Sequence, residues 1–216
     1  VPDMRGHIEH YAAMFSDITA LKENQQQLER VAHYDLLTGL PNRLLLGDRL
    51  KQAIRQTRRR GMHLAVVFID LDGFKKVNDQ HGHGVGDNLL SVLSRRMTQV
   101  LREGDTLARL GGDEFVAILV DLPDIFISVP ILDRLIEVAA QPVPIGDALC
   151  EVSASIGVSY YPQGEDIDAD QLLRQADQAM YRAKQAGKNR YHVFDTEKDR
   201  TLRTRHEGLD LSRIQM

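Results

Sequence analysis

The chain has 216 residues, 43% of them hydrophobic and 27% charged, which is enough to bury the core of one domain and leave a short appendage. Its formal net charge of −4 excludes a general attraction to nucleic acid, so an anionic ligand must be bound by local groups or metal ions. Cys150 is the only cysteine, which excludes an intrachain disulfide and a cysteine-based zinc site and favours a cytoplasmic protein.

The first part of the chain predicts a strand followed by a helix. Residues 7–15 are typical of a short strand, and Ser16–Thr19 offer caps for a helix that continues through Arg30. Apolar residues recur along this helix at alternating spacings of three and four, which is typical of a two-helix seam. The stripe covers only about two heptads and includes a Gln, so a connector that packs on its own domain is an equally good interpretation.

The next segment predicts a helix and then a buried strand. A turn-rich junction ends in Asn42, which is predicted to cap a helix that Gly61 ends. The continuous apolar run Leu64–Ile69 predicts a strand buried on both faces. Residues 74–102 are predicted to be helical, with a break at Gly82-His-Gly84.

Hairpins and helices alternate in the rest of the chain. We expect a hairpin over residues 106–120, a helix near 129–140, a second hairpin with strands near 142–145 and 148–160, a helix over 171–186 and a closing strand at 191–194. Because hairpins mix with helical crossovers, the pattern predicts an α/β protein of the α+β kind. Its sheet is expected to be mainly antiparallel and covered by helices, and not doubly wound and parallel.

Two acidic strand ends carry the strongest chemical signal. Gly111 and Gly112 form a predicted hairpin tip that lets a phosphate approach the backbone, and Asp113 and Glu114 follow at once. Asp70 ends the apolar strand earlier in the chain, where a bound cation would hold its carboxylate ionised. Carboxylates delivered by two neighbouring strand ends are what metal-assisted phosphoryl transfer needs. The pattern therefore predicts a nucleotide-handling enzyme with Asp70 and Asp113 as metal ligands.

Polar residues close to these strand ends give weaker signals. Asp72 precedes a helix and is interpreted as its N-cap or as a turn residue, not as a metal ligand. Lys75 lies at the start of that helix, where exposed N–H groups would suit the terminal phosphates of a nucleotide. Asn78 and Asp87 flank the Gly-rich break, and their spacing does not choose between a guanine edge and local capping.

Several segments of the chain together resemble one family. In order they are Asp35-x-Leu-Thr-Gly-Leu-x-Asn-Arg43, Phe68-Ile-Asp-x-Asp-x-Phe-Lys-x-x-Asn-Asp79, Gly82-His-x-x-Gly-Asp87, Arg109-x-Gly-Gly-Asp-Glu-Phe115, Ser155-Ile-Gly157 and Ala176-Asp-x-Ala-Met-Tyr-x-Ala-Lys-x-x-Gly-Lys-Asn189. Over residues 31–194 this order and spacing are similar to the GGDEF domains, the diguanylate cyclases. The resemblance implies a five-stranded sheet flanked by helices, like the palm of nucleotide polymerases and class III nucleotide cyclases, with an N-terminal signalling helix.

The resemblance also implies a reaction and the residues that carry it. Two GTP molecules would be joined into cyclic di-GMP with release of two pyrophosphates, and Mg²⁺ or Mn²⁺, two ions per site, would be the cofactor. Asp70, the carbonyl of Leu71 and Asp113 would hold the metals, and Glu114 would accept a proton or add a ligand. The substrate would be bound by Phe74, Lys75, Lys184 and Lys188 at its phosphates, by Asn78 and Asp87 at guanine, and by Gly111 and Gly112 at the hairpin tip. Lys188 stands where many members have Arg, which keeps the charge but gives up bidentate geometry.

Assembly and regulation follow from the same resemblance. Each domain would bind one GTP, so both new bonds require a homodimer of two facing domains. Arg102 and Asp105 match the family's RxxD site, where cyclic di-GMP would bind as a feedback inhibitor, although a helix-terminal Arg before a Gly turn explains them too. The predicted organisation is the end of a PAS sensor at 1–19, a linker helix at 20–34, a GGDEF domain at 35–195 and a charged tail at 196–216 that resembles a linker to an EAL phosphodiesterase.

A second function stays open beside the enzyme. A module that binds GTP or cyclic di-GMP without chemistry could control an attached EAL phosphodiesterase. Asp70, Asp113 and Glu114 are intact, which favours the enzyme because a degenerate module usually loses its acidic residues.

Overall fold

The computed structural model describes Lys22, Gln27, Leu28 and residues 30–195. The chain divides into two compact units, Val1–Ala32 and His33–Met216. In the first unit the described residues are helical. Outside the described residues lie the predictions for residues 7–15, 1–19 and 196–216 and for most of 20–34.

The first long helix, α1 (Arg43–Arg60), begins and ends where its capping residues predict. Asn42 Oδ1 accepts hydrogen bonds from the backbone N–H groups of Leu44 and Leu45 at 3.0 and 3.1 Å. Gly61 ends the helix in the left-handed conformation at a φ of 64°. Both capping predictions are confirmed.

Helices and strands alternate after α1. They are β1 (His63–Asp72), α2 (Phe74–His81), α3 (His83–Val100), β2 (Thr106–Gly111), β3 (Glu114–Leu122), a 3₁₀ turn (Ile125–Ser128), α4 (Val129–Ala140), β4 (Val143–Ile145), β5 (Ala148–Cys150), β6 (Ser153–Tyr161), α5 (Ala169–Gln185) and β7 (Arg190–Val193). The predicted helical break is confirmed, because Gly82 separates α2 from α3.

A five-stranded sheet in the order β2-β3-β1-β6-β7 organises the second unit. β1 pairs antiparallel with β3 on one side and with β6 on the other, β2 pairs antiparallel with β3, and β7 joins β6 in parallel. The predicted mainly antiparallel sheet is confirmed. Its central strand, β1, is buried at every residue after His63.

Alternate side chains of β1 enter two hydrophobic clusters on opposite faces of the sheet. Val67 and Ile69 pack in a cluster that includes Leu89 of α3 and residues of α4. Val66 and Phe68 pack in the other cluster with residues of α1 and α5. Helices therefore cover both faces, which explains why the sequence of β1 is apolar without alternation. A membrane-spanning helix, which needs about twenty apolar residues, is absent from the described part of the chain.

The predicted single strand over 148–160 is wrong. β5 ends at Cys150 and pairs with β4 in a separate two-stranded sheet, and β6 starts at Ser153 in the main sheet. No Gly or Pro separates the two strands, so the sequence carries no local break signal. The division comes from pairing, since β5 needs β4 as its partner whereas β6 needs β1.

Helix α5 lies directly against β6 at Gly157. A Cβ atom at this position would lie 1.9 Å from the Ala176 carbonyl oxygen and 2.1 Å from the Met180 nitrogen. Glycine is required there because the two backbones leave no room for a side chain. The contact fixes α5 beside β6, the strand that pairs with β1. It therefore also fixes where the residues at the end of α5 lie relative to β1.

Candidate functional site

Three carboxylates predicted to act together meet where β1 ends beside the β2–β3 hairpin. The strand register pairs Asp70 of β1 with Glu114 of β3. The N–H of Leu71 donates to the carbonyl oxygen of Asp113 at 3.3 Å. Strand pairing therefore brings Asp70, Asp113 and Glu114 to one edge of the sheet, and the Leu71 backbone lies in the same place.

The tip of the hairpin depends on its two glycines. Gly111 has a φ of 141° and Gly112 a φ of 53°, values that side chains other than glycine adopt rarely. The β2–β3 register shifts between Arg109 and Gly111, so the tip carries an irregularity just before the acidic pair. Both glycines are exposed, which leaves their backbone accessible to a ligand.

Arg109 clamps this tip to the turn that precedes α1. Its Nε and Nη2 donate to the Gly112 carbonyl oxygen at 3.0 and 2.8 Å, and its Nη1 donates to both carboxylate oxygens of Asp35 at 3.0 and 2.9 Å. Thr38 donates to Asp35 through its backbone N–H at 2.8 Å and its hydroxyl at 2.6 Å. The side chains of Arg109 and Asp35 are only 10% and 21% exposed. Burial by itself raises the pKa of Asp35, but these hydrogen bonds outweigh it and hold the pKa below its usual value.

Two of the three carboxyls are destabilised in their charged form. Burial, followed by the negative charge of Asp70, raises the pKa of Asp113. Burial, Asp70 and Asp177 of α5 raise the pKa of Glu114, with Arg43 acting in the opposite direction. Such crowding of acidic groups is typical of functional sites and favours a bound cation.

Lys184 supplies a positive charge to this cluster. Its Nζ lies 2.7 Å from Asp70 Oδ2, and the side chains of Lys184 and Asp70 are 32% and 11% exposed. The resemblance assigned Lys184 to the phosphates of a nucleotide, whereas the structure places it on a predicted metal ligand. Its charge also opposes the rise in the pKa of Asp113.

The interpretation of Asp72 as a helix cap is wrong. Gly73 stands at the N-cap of α2, and no side chain caps that helix. Asp72 is buried and instead accepts hydrogen bonds from the hydroxyls of Ser153 and Ser155, each at 2.9 Å, and from the Asn189 N–H at 3.4 Å. Its carboxylate joins β1 to β6 and to the turn after α5, a role that no local pattern indicates.

The start of α2 keeps its backbone donors free of side-chain caps. Phe74 is buried and Lys75 is exposed at this start. Lys188 is exposed in the turn after α5 and has a φ of 62°, and its N–H donates to the Ala183 carbonyl oxygen at 3.1 Å. Lys75 and Lys188 are thus both exposed, so their ammonium groups are accessible to a phosphate ligand.

Asn78 and the residue before Asp87 form a close contact. Within the described residues, the buried Asn78 Oδ1 has no hydrogen-bond partner. A Cβ atom on Gly86 would lie 1.9 Å from this oxygen, so Gly86 makes the room that the amide occupies. Asp87 is exposed at the first turns of α3. A buried oxygen without a partner and a neighbouring free carboxylate are groups that a bound base could satisfy.

Arg102 and Asp105 form a turn between α3 and β2. Asp105 Oδ2 accepts from the Arg102 N–H at 3.0 Å, and Asp105 Oδ1 accepts from the Val120 N–H at 3.1 Å. Asp105 therefore holds its own turn to β3, while the Arg102 side chain is exposed. Helix α3 ends at Val100, so Arg102 lies in the turn after the helix, and its exposed guanidinium is accessible to a ligand.

The donor set suits a magnesium ion that is shared with a substrate. Within the part of the chain that the structure describes, no three His, Cys, Asp or Glu side chains form a ready-made metal cage. Mg²⁺ is usually held by one or two carboxylates plus substrate phosphates, so a complete protein cage is not needed. Asp70 and Asp113 with the Leu71 carbonyl provide the hard oxygen ligands that such an ion prefers.

Sequence reasoning missed three contributors to this site. Asp35 and Arg109 lie in motifs that carry the family resemblance, but neither residue was given a role. Their opposite charges were the signal that could have paired them. Gly86 stood between Asn78 and Asp87, and its absent side chain was the signal there. Each acts through a contact that becomes visible only in the folded chain.

Known proteins place the chain in a family. Residues 32–190 match the family described as diguanylate cyclase, GGDEF domain. The chain belongs to the GGDEF family. This GGDEF chain is 43% identical over 178 residues to the bifunctional diguanylate cyclase/cyclic di-GMP phosphodiesterase MucR of Pseudomonas aeruginosa, covering 82% of the chain and 26% of MucR. It is 37% identical over 177 residues to the cyclic di-GMP phosphodiesterase NbdA of the same organism, covering 82% of the chain and 22% of NbdA.

Structural similarity confirms the predicted fold. A solved structure of TpbB from Pseudomonas aeruginosa that comprises only the GGDEF domain has a TM-score of 0.75 and 38% identity, covering 79% of this chain and 99% of that one. The five-stranded sheet flanked by helices is thus the fold of GGDEF domains. The chain spans about a quarter of the length of MucR and NbdA, at 26% and 22%.

Proposed function

We propose that this GGDEF domain is an active diguanylate cyclase that condenses two GTP molecules into cyclic di-GMP. The observation that carries the proposal is the meeting of Asp70, Asp113 and Glu114 at one sheet edge through the β1–β3 register. The raised pKa values of Asp113 and Glu114 support it, because crowded carboxyls favour a divalent cation.

The residues of the site divide into three proposed roles. Asp70, the Leu71 carbonyl and Asp113 would hold Mg²⁺ or Mn²⁺, because these hard cations prefer oxygen ligands. Two such ions per site would supply the chemistry that polarises the α-phosphate and lowers the pKa of the attacking 3′-hydroxyl. The raised pKa of Glu114 makes its ionised carboxylate a stronger base, and Glu114 would accept that proton or add a ligand to the metal.

Substrate binding is assigned to groups around this edge. The uncapped start of α2 at Phe74 and Lys75, together with Lys188, holds the terminal phosphates. Asn78 and Asp87 read the guanine edge, a proposal supported by the buried Asn78 oxygen that has no partner within the described residues. The exposed backbone of Gly111 and Gly112 lets the phosphates approach the hairpin tip.

Assembly and regulation complete the proposal. Each domain holds one GTP, so two copies of the chain face each other during the reaction. Cyclic di-GMP inhibits through Arg102 and Asp105, and the exposed Arg102 guanidinium supports this role. Residues 1–19 would be the end of a PAS sensor that precedes the GGDEF domain at 35–195 in the parent protein, and the charged tail would lead to an EAL domain. The GGDEF domain would act in the cytoplasm, which the free Cys150 supports, within a parent protein that is free in the cytoplasm or attached to a membrane.

A second function is favoured by one observation. Lys184 forms an ion pair with Asp70, and a domain that binds nucleotide without a metal ion would keep this pair intact. Such a module would control an attached EAL phosphodiesterase, and the phosphodiesterase names of MucR and NbdA support this alternative.

The test is incubation of concentrated protein with GTP and Mg²⁺, followed by chromatography for cyclic di-GMP and pyrophosphate. We expect product from the wild type and none from a folded Asp113→Asn variant. GTP binding by calorimetry without product would instead favour the silent module. Fusion to a dimeric coiled coil would then reveal whether the missing product reflects missing dimerisation.

A further inference from the structure

The Lys184–Asp70 ion pair joins a helix end to the acidic edge of the sheet. Lys184 Nζ lies 2.7 Å from Asp70 Oδ2, and Asp70 is almost entirely enclosed. The contact at Gly157 fixes α5 against β6. Lys184 is therefore placed next to Asp70 by a tightly packed helix and not by a loop. Only its four-carbon side chain is free to move.

Other cations near the acidic edge are engaged elsewhere. Arg109 is bound to Asp35 and to the Gly112 carbonyl oxygen. The positive charge of Arg43 acts on Glu114, where it opposes the rise in the pKa. Lys184 therefore forms its ion pair with Asp70, the same carboxylate that the proposed function assigns to the metal.

An ammonium group and a divalent ion on one carboxylate repel each other strongly in a partly buried site. We propose that Lys184 and the divalent metal compete for Asp70, and that the triphosphate of GTP ends this competition by accepting the Lys184 ammonium. The inference rests on the proposed function, because it takes Asp70 as a metal ligand. Lys184 then couples the two ligands: metal binds weakly alone and tightly with nucleotide, and nucleotide gains affinity from metal by the same factor.

The test measures Mn²⁺ binding by electron paramagnetic resonance in the absence of nucleotide. Lys184→Met keeps the length of the side chain and removes its charge, so we expect it to bind Mn²⁺ about tenfold more tightly than the wild type, within the usual range of coupled sites. Lys184→Arg keeps the charge and should return the affinity toward the wild-type value. Lys76→Met removes an exposed lysine of α2 and controls for a general change in charge.

A repeat of the titration with GTP completes the design, with the GTP supplied as its α,β-methylene analogue because the proposed enzyme would consume GTP itself in the presence of Mn²⁺. GTP should strengthen Mn²⁺ binding by the wild type much more than by Lys184→Met, because the variant has no competing ammonium to release. Asp70→Asn should remove the tight Mn²⁺ site both from the wild type and from Lys184→Met. This result would assign the metal to the acidic edge. Thermal unfolding of each variant confirms that it is folded.

Two outcomes separate this inference from the proposed function. Equal or weaker Mn²⁺ binding by folded Lys184→Met, with normal GTP-dependent binding by the wild type, overturns the competition alone. Failure of the wild type to bind Mn²⁺ even with GTP overturns the metal site and with it the proposed cyclase.

Discussion

At the scale of single residues, Asp113 combines a proposed role in chemistry with a cost to folding. Burial and the charge of Asp70 raise its pKa, so the folded protein favours the protonated carboxyl. Its stabilising effect is present below the usual carboxyl pKa of 3.8 and is lost as the pH rises through the raised value. At neutral pH the ionised Asp113 therefore destabilises the fold.

Asp113→Asn should consequently be more stable than the wild type at pH 7–8. We expect a rise in Tm of roughly 1–3 °C, together with complete loss of cyclic di-GMP formation. Calorimetric scans between pH 4 and 8 check the sign, because the difference between the two proteins should shrink as the pH falls. A variant with a lower Tm at pH 8 would contradict the electrostatic account of this site.

Gly86 makes a second prediction at the residue scale. A Cβ atom there would lie 1.9 Å from Asn78 Oδ1, so Gly86→Ala must turn the amide away from its present position. We expect GTP binding to weaken by about tenfold or more, the usual effect of one lost polar contact. Gly84→Ala is the matched control, because nothing lies within 4 Å of a Cβ on that neighbouring glycine. Calorimetry should show normal GTP affinity for Gly84→Ala, and equal losses in both variants would refute the guanine assignment.

At the scale of elements, the β2–β3 hairpin is held by a clamp that begins before α1. Arg109 bonds to Asp35, which lies 74 positions earlier in the sequence, and to the Gly112 carbonyl oxygen. Asp35→Asn removes the charge that orients Arg109 and should lower the free energy of unfolding by about 1–3 kcal/mol, as for other hydrogen bonds to charged groups. Product formation should fall as well, because the acidic pair follows the clamped tip directly.

A surface ion pair provides the comparison for this clamp. Asp166→Asn breaks the ion pair between Asp166 and Arg58, whose side chains are 75% and 61% exposed in that order. Because both side chains are so exposed, the variant should change Tm little. Thermal unfolding and initial rates of both variants distinguish a role of Asp35 in positioning the hairpin tip from the general effect of removing one negative charge. Unchanged activity in a folded Asp35→Asn protein would show that the hairpin tip needs no such clamp.

Elements whose signals are local could be predicted from the sequence. Asn42 and Gly61 mark the ends of α1, and the apolar run of β1 marks a doubly covered strand. The boundary between β5 and β6 could not be predicted, because it depends on which strand each one pairs with. Asp72 was misassigned for the same reason, since its serine partners lie 81 and 83 positions away in the sequence.

At the scale of the whole molecule, the described residues of the domain form one acidic edge. If the proposed condensation of two GTP molecules takes place between two copies of the chain, the rate per chain should rise with protein concentration until all of the protein is dimeric. Measurement of specific activity over a hundredfold range of concentration checks this expectation. A constant specific activity down to nanomolar protein would indicate a permanent dimer or a reaction within one chain.

The position of Asp70 beside the β2–β3 hairpin could be predicted because it depends on adjacent strand ends. Asp70 and the Gly111–Glu114 tip are each recognisable locally, and the antiparallel register brings them together. The ion pair of Lys184 with Asp70 could not be read from the sequence, because it depends on how closely α5 packs on β6 at Gly157.

The most direct test of the account is a crystal structure of the chain with Mn²⁺ and a non-hydrolysable GTP analogue, with the metal located by anomalous scattering. The account predicts Mn²⁺ between Asp70, Asp113 and the triphosphate, with Lys184 turned from Asp70 toward a phosphate oxygen. Nucleotide bound away from the β1–β3 edge, or Mn²⁺ held by other residues while Lys184 stays on Asp70, would contradict it.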